Sequence, residues 1–250
     1  MPFLFLTIYL ICTVSIFYKE NNDFVLTSNR DEAPNRKALS PAIYTINKAE
    51  LVMPKDEESG GSWIGASNKN RVVCLLNGGF KPHERQEKYR QSRGVVVTDI
   101  LALKNINDAR SYNYSAIEPF TLVVADWNAS LNFYEIVWDG LQAHFNQLAL
   151  TNHIWSSSTL YTEKKKEVRR EWFRDFKSSN KLSPDTLLKF HKTAGKDNTD
   201  YGVVMDRGFV KTTSITQIQK TGETIEIKFL NLKTQETSIQ TLNFSELINE

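Results

Sequence analysis

Cys12-Thr13-Val14-Ser15-Ile16-Phe17, then after a polar break Phe24-Val25-Leu26-Thr27-Ser28 and Asn29-Arg30-Asp31-Glu32, is the stretch that decides how this chain is read. Cys12, Val14 and Ile16 alternate with Thr13, Ser15 and Phe17, the period of a half-buried strand. A second apolar segment following so soon predicts an antiparallel pair, which brings Cys12 to the end carrying Arg30 and Asp31, nineteen residues further on. A thiol beside a guanidinium and a carboxylate suits a Cys nucleophile whose general base is its own α-amino group. The amine takes the thiol proton, while carboxylate and guanidinium hold the amine and the substrate. Arg30 is also expected to favour the thiolate.

That chemistry needs a free amine, and Cys12 follows Met1-Pro2-Phe3-Leu4-Phe5-Leu6-Thr7-Ile8-Tyr9-Leu10-Ile11. An amide nitrogen has no basic lone pair. The leader carries no Lys or Arg before Lys19, and Tyr9-Leu10-Ile11 offers no small-x-small cleavage site, so it does not read as a signal peptide. Ile11 is too bulky for a lipid-attachment site at Cys12. Phe3 to Phe17 gives about fifteen residues where a membrane span needs about twenty. The expectation is that residues 1–11 are a mis-annotated or removed leader. A start at residue 11 with later loss of its Met, or proteolytic trimming to Cys12, would each leave one domain over 12–250, cytoplasmic and without stable membrane insertion.

At 250 residues the chain is long enough for one continuous core, and its formal charge of +2 sets no pull toward nucleic acid. Lys164-Lys165-Lys166 with Arg169-Arg170 lies on a helical pattern and reads as a solvated face. Of the two cysteines, Cys74 sits in the strand-like run Arg71–Leu76 and reads as a small core residue. His83, His144, His153 and His191 have no paired ligand spacing, so neither a metal nor another cofactor is expected.

Strands are predicted at 12–17, 24–28, 63–66, 72–77, 120–126, 131–139, 141–148, 209–217, 224–230 and 238–244. Helices are predicted over 93–105, from Thr162 with Val168, Trp172, Phe173 and Phe176 on one face, and from Ser183-Pro184 through His191. Strands, then helices, then strands point to an α+β layered domain with helices covering mainly antiparallel sheets. Asn77, ahead of Gly78-Gly79, is placed to offer its amide to an oxyanion. Trp63 and Trp155 are candidate pocket walls, and Arg93 before Gly94 could meet an anionic substrate group.

With Asn29-Arg30-Asp31-Glu32 stand Cys12-Thr13-Val14-Ser15, Gly60-Gly61-Ser62-Trp63-Ile64-Gly65, Leu75-Leu76-Asn77-Gly78-Gly79, Ser92-Arg93-Gly94, Trp155-Ser156-Ser157-Ser158 and Thr213-Ser214-Ile215-Thr216. In this order they resemble the NRDE family, which includes the transport and Golgi organisation protein two of animals. The resemblance implies an N-terminal-nucleophile hydrolase fold, a four-layer α-β-β-α sandwich distantly similar to bile-salt and penicillin amidases. It implies Cys12 as nucleophile, Arg30 and Asp31 as the pair that positions amine and substrate, and Asn77 at the oxyanion. Ser157 is a candidate substrate-binding residue; it stands where many relatives have Asn, and its hydroxyl can donate a single hydrogen. The activity implied is hydrolysis of small linear or non-peptide amides through a thioester. The alternative implied is a non-catalytic lipid- or haem-handling trafficking protein, in which haem would bind non-covalently because no Cys-x-x-Cys-His segment exists.

Overall fold

The computed structural model describes residues 12–158 and 162–243. The leader expected over 1–11 and the predicted strand's last residue, Phe244, lie outside the described residues. β1 (Cys12–Tyr18) and β2 (Phe24–Glu32) pair antiparallel with Cys12 opposite Arg30. Their link passes through Asn21 and Asn22 at φ 63° and 61°, a left-handed conformation that Asn tolerates. The two-residue period sends Cys12, Val14, Ile16, Phe24 and Leu26 into the main core, and Val25 to a second cluster with Phe173, Leu187 and Phe190. β2 runs past Ser28 to Glu32 with every residue buried.

β3 (Ala38–Ile46) and β4 (Ala49–Asp56) form a hairpin that the sequence reading missed. Asn47 and Lys48, at φ 48° and 62°, close it in the mirror-image turn that matches strand twist. Pro41 and Pro54 hid it: β3 is an edge strand whose register shifts between Leu39 and Ala42, and β5 pairs with β4 at Leu51 and Val52, short of Pro54. Next come β5 (Ile64–Ser67), β6 (Arg71–Asn77), α1 (Arg93–Ala102), β7 (Phe120–Asp126), β8 (Asn132–Trp138), β9 (Ala143–Leu148) and β10 (His153–Ser156). The chain closes with α2 (Glu163–Ser179), α3 (Pro184–Thr193), β11 (Lys211–Thr221), β12 (Thr224–Asn231) and β13 (Thr237–Asn243). α1 stops before the predicted Asn105, which instead caps a 3-10 turn through Asp108.

One sheet runs β10-β1-β2-β11-β12-β13 and the other β3-β4-β5-β6-β7-β8-β9, with all pairings antiparallel. The sheets face each other through β1 and β6; α1 covers the second sheet, and α2 and α3 cover the first. This is the expected α-β-β-α sandwich. Ser183 caps α3 as predicted, and Thr162, near which the second helix was predicted to begin, caps α2. Cys12 and Cys74 are both buried and free. Arg169 departs from the solvated-face reading, because it is fully buried and bonds Thr13 Oγ1 at 2.5 Å, Tyr201 O at 3.1 Å and Gly202 O at 2.7 Å.

Arg71 fixes the other helical layer. Fully buried, it meets Asp126 across the β6–β7 ladder at 2.8 Å and donates to two carbonyls at the end of α1, Leu103 O and Ile100 O, the latter also accepting a long bond from the Leu103 N–H. Arg71→Met is expected to destabilise the protein by about 3–5 kcal/mol in urea unfolding, because Asp126 would remain as an unpaired buried charge. Removing that charge as well, in Arg71→Met with Asp126→Leu, should recover much of the loss.

Candidate active site

Alternation along β2 divides Asn29-Arg30-Asp31-Glu32 between two environments. Asn29 faces the helices, donates to His191 O at 2.9 Å and Val203 O at 2.8 Å, and accepts from His191 Nδ1. Both amide hydrogens being used this way, Asn29 Oδ1 must accept, which fixes the proton on Nδ1 and leaves Nε2 to accept from Ser15 Oγ at 2.7 Å. Burial lowers His191 to about 3, so the ring stays neutral. This network fastens α3 to the sheet.

Arg30 faces the cleft opposite Cys12. Its Nη2 lies 2.6 Å from Asp56 Oδ2 and 3.5 Å from Glu32, its Nη1 donates to Thr213 Oγ1 at 3.1 Å, and its guanidinium stands 4.7 Å from the Trp63 ring centre. Arg36 adds contacts to Glu32 at 3.3 Å and Asp56 at 2.9 Å. Asp31, on the opposite face, accepts from Thr212 Oγ1 at 2.5 Å, and Thr212 Oγ1 accepts in turn from the Met205 N–H. A β-bulge between Thr212 and Ser214 pairs Ser214 with Arg30 and leaves Thr213 as the extra residue, its Oγ1 accepting from Arg30 Nη1 and donating to Arg30 O, while Thr212 stays opposite Asp31.

Cys12 ends β1 with its sulfur accepting from the Asp31 backbone N–H. Burial, then the nearby Asp31 carboxylate, push the thiol well above its ordinary range; Arg30 opposes this only weakly. Arg30 acts in the expected direction, favouring the thiolate, but burial of the thiol outweighs it, and Asp56 and Glu32 already balance its charge. Asp31 is itself raised to about 7 by burial, although Thr212 and the charges of Arg169 and Arg207 pull it down. Its Oδ2 has no hydrogen-bond partner among the described residues.

Asn77 ends β6 where Gly78, at φ 85°, turns the chain out of the sheet. Ser157 Oγ donates to Asn77 O at 2.5 Å and Ser157 N to Cys12 O at 3.1 Å, so Ser157 ties the nucleophile strand to the Asn77 turn. Ser158 Oγ donates to Gly79 O. The Ser157 hydroxyl hydrogen is thus engaged by backbone, where sequence reasoning gave it to substrate.

Cys12, Arg30, Asp31, Asn77, Trp63 and Arg93 line one cleft of about 580 Å³. Its wall is set where Gly61 meets Gly94, so closely that a Cβ on Gly61 would stand 2.6 Å from Gly94 C. Trp155 and Ser157 instead line a neighbouring cavity of about 230 Å³, where Trp155 Nε1 donates to Glu135 at 2.9 Å. Sequence reasoning missed Asp56, Thr212, Glu118 and the irregular segment 85–91, all at or beside the cleft. The length of unpatterned sequence between β6 and α1 was the one available signal for that segment.

A family profile described as Transport and Golgi organisation 2 matches residues 11–242. No curated protein matches the chain. Among solved structures it is similar to a Caenorhabditis elegans N-acylethanolamine-hydrolyzing acid amidase ortholog, at 11% identity and TM-score 0.55 over 83% of this chain and 92% of that one. It is also similar to a variant of conjugated bile acid hydrolase from Clostridium perfringens, at 8% identity and TM-score 0.51 over 94% and 93%. The fold is that of the N-terminal-nucleophile hydrolases, and at these identities the likeness is one of fold alone.

The raised Asp31 gives a pH test. The folded state binds the Asp31 proton more tightly than the unfolded chain, so this residue's contribution to stability is fully favourable below about 4 and declines as pH rises to about 7. Asp31→Asn keeps an acceptor for Thr212 and removes that decline. In urea unfolding of the full chain, the variant should gain on the parent from pH 4 to pH 7 and keep a constant margin above; a margin independent of pH would refute the assignment.

Proposed function

The chain belongs to the Transport and Golgi organisation 2 family, and on that premise we propose that it is an N-terminal-cysteine amidohydrolase, working once Cys12 carries a free α-amino group. The observation that carries the reading is the buried Asp31 carboxylate beside Cys12, one oxygen of which has no partner among the described residues. A buried, half-satisfied carboxylate calls for a cation. The α-ammonium formed when a free Cys12 amine takes the thiol proton is a cation of the right size, on the residue whose thiol needs that base.

In this mechanism the amine takes the Cys12 proton and the thiolate attacks the carbonyl carbon of a small linear or non-peptide amide. The oxyanion is met by the Asn77 amide, which lines the cleft and has no hydrogen bond from its side chain among the described residues. The ammonium returns its proton to the leaving nitrogen as the C–N bond breaks. Water, deprotonated by the same amine, then cleaves the thioester, releasing the acid and restoring the thiol. Arg30, braced by Asp56 and Trp63, shapes the wall behind Cys12. Residues 1–11 are absent from the working enzyme in this reading, which leaves 12–250 as its single domain.

A second reading is favoured by the raised thiol. With residues 1–11 attached, Cys12 is a protonated thiol with no adjacent base, and the same cleft would hold an amide, a lipid-like ligand or haem without turnover. No described helix is long and apolar enough to cross a membrane, and the location proposed is the cytoplasm.

Protein trimmed to Cys12 is expected to release amine from N-acyl amino acids or related small amides, followed by a fluorescent amine assay. Cys12→Ala should abolish turnover, and Asn77→Ala should lower kcat by about 10²–10³-fold. Equal rates with and without residues 1–11, or survival of activity in Cys12→Ala, would exclude the amine-assisted thiol. Ligand binding with no turnover in trimmed protein would establish the second reading.

A further inference from the structure

Three arginines buried among the described residues have close partners: Arg30 with Asp56 at 2.6 Å, Arg71 with Asp126 at 2.8 Å, and Arg169 with Thr13 at 2.5 Å. Arg93 does not. Its side chain keeps only 13% of its exposure, yet its nearest partners are Glu118 Oε2 at 3.3 Å and Pro119 O at 3.4 Å, both loose for a guanidinium. Glu118 is moreover shared with His83 Nε2 at 3.5 Å. Arg85 lines the same end of the cleft, exposed and with no ion pair or hydrogen bond among the described residues.

We infer that Arg93 and Arg85 form an oxyanion-binding subsite of the Cys12 cleft, so that the ligand is an amide carrying a carboxylate, sulfonate or phosphate a few bonds from its carbonyl. A mostly covered guanidinium with slack contacts has planar donors left for a bidentate anion, and an exposed second arginine can close on the same group. Burial and the repulsion of Arg85 both work against the charge on Arg93, and an incoming anion relieves both. Arg93 is also close enough to Cys12 for the two charges to interact, which is why the anionic group lies near the scissile bond rather than at the far end of the ligand. The choice of an amide rests on the reading of this cleft as a hydrolase site; the anion requirement does not.

The test is calorimetric titration of Cys12→Ala protein, both as the full chain and beginning at residue 12, with N-decanoylglycine, N-decanoyltaurine and N-decanoylphosphoethanolamine against the neutral N-decanoylglycinamide. At least one charged ligand should bind about tenfold or more tightly than the neutral one, and the three arms identify which oxyanion is preferred. Arg93→Met should remove that advantage while leaving the neutral amide unchanged, and Arg93→Lys should restore only part of it. Arg85→Met, at an exposed position without partners, should weaken charged ligands by a few-fold and tests the subsite should Arg93→Met fail to fold. Equal affinity for charged and neutral ligands, binding of none, or equal loss for both classes in the variants overturns the inference. Charge-selective binding without turnover in the trimmed Cys12 protein would instead overturn the hydrolase reading and leave the subsite standing.

Discussion

Everything in the cleft depends on the antiparallel register that sets Cys12 opposite Arg30. Because side chains alternate with period two, that one pairing turns Cys12, Arg30 and Glu32 toward the opposing sheet and Thr13, Asn29 and Asp31 toward the helices. A slip of one residue would bury Arg30 beneath α3 and present Asp31 to Asp56. Such a slip is opposed along the whole strand: Phe24 and Leu26 would leave the main core, and the Asn29–His191–Ser15 network would lose its acceptor. The tetrapeptide is thus two structural residues and two site residues interleaved, with Asn29 locking a helix so that Asp31 can be held beside the nucleophile.

The buried charges are held by neighbours distant in sequence. Arg30 is neutralised by Asp56 from the other sheet, Asp31 is held by Thr212 on the adjoining strand β11, and Asn77 is held by Ser157. Removing water from these groups is costly unless each finds its partner, so the sheets, once closed, fix one another's polar ends as well as their apolar faces. At the bulge Ser214 takes the place opposite Arg30, while the extra residue Thr213 still exchanges hydrogen bonds with Arg30 and Thr212 stays on Asp31.

This explains what could be read from the sequence. The β1–β2 pair, the hairpin of β7 and β8, and the caps at Thr162 and Ser183 are local signals, written within a few residues of where they act. The hairpin of β3 and β4 was obscured by Pro41 and Pro54, whose acceptability depends on an edge position and a bulge that only the assembled sheet defines. Cys12, Arg30, Asp31, Asn77, Trp63 and Arg93 were legible as a group and share the cleft, whereas Trp155 faces the adjoining cavity. Asp56 and Thr212 were not, being ordinary residues in ordinary strands until the fold brings them to Arg30 and Asp31. Arg169 misled because a charged residue in a basic helical run carries no mark of burial; its acceptors, Tyr201 O and Gly202 O, lie in a later loop.

The thiol and its neighbouring carboxylate together say what the site lacks. Both are raised by burial, and a charged Asp31 raises Cys12 further, so the thiolate and the carboxylate call for a cation between them. Arg30 is too well matched by Asp56 to serve, and Arg169 acts on Asp31 from the helical layer through a guanidinium already anchored to Thr13 and two carbonyls. A cation placed at the Cys12 nitrogen would lower both groups at once, making the thiolate accessible and the carboxylate stable. The destabilised Asp31 is therefore the feature that couples the chemistry of Cys12 to the state of its own backbone nitrogen, and a fold that keeps such a carboxylate buried trades stability for that coupling.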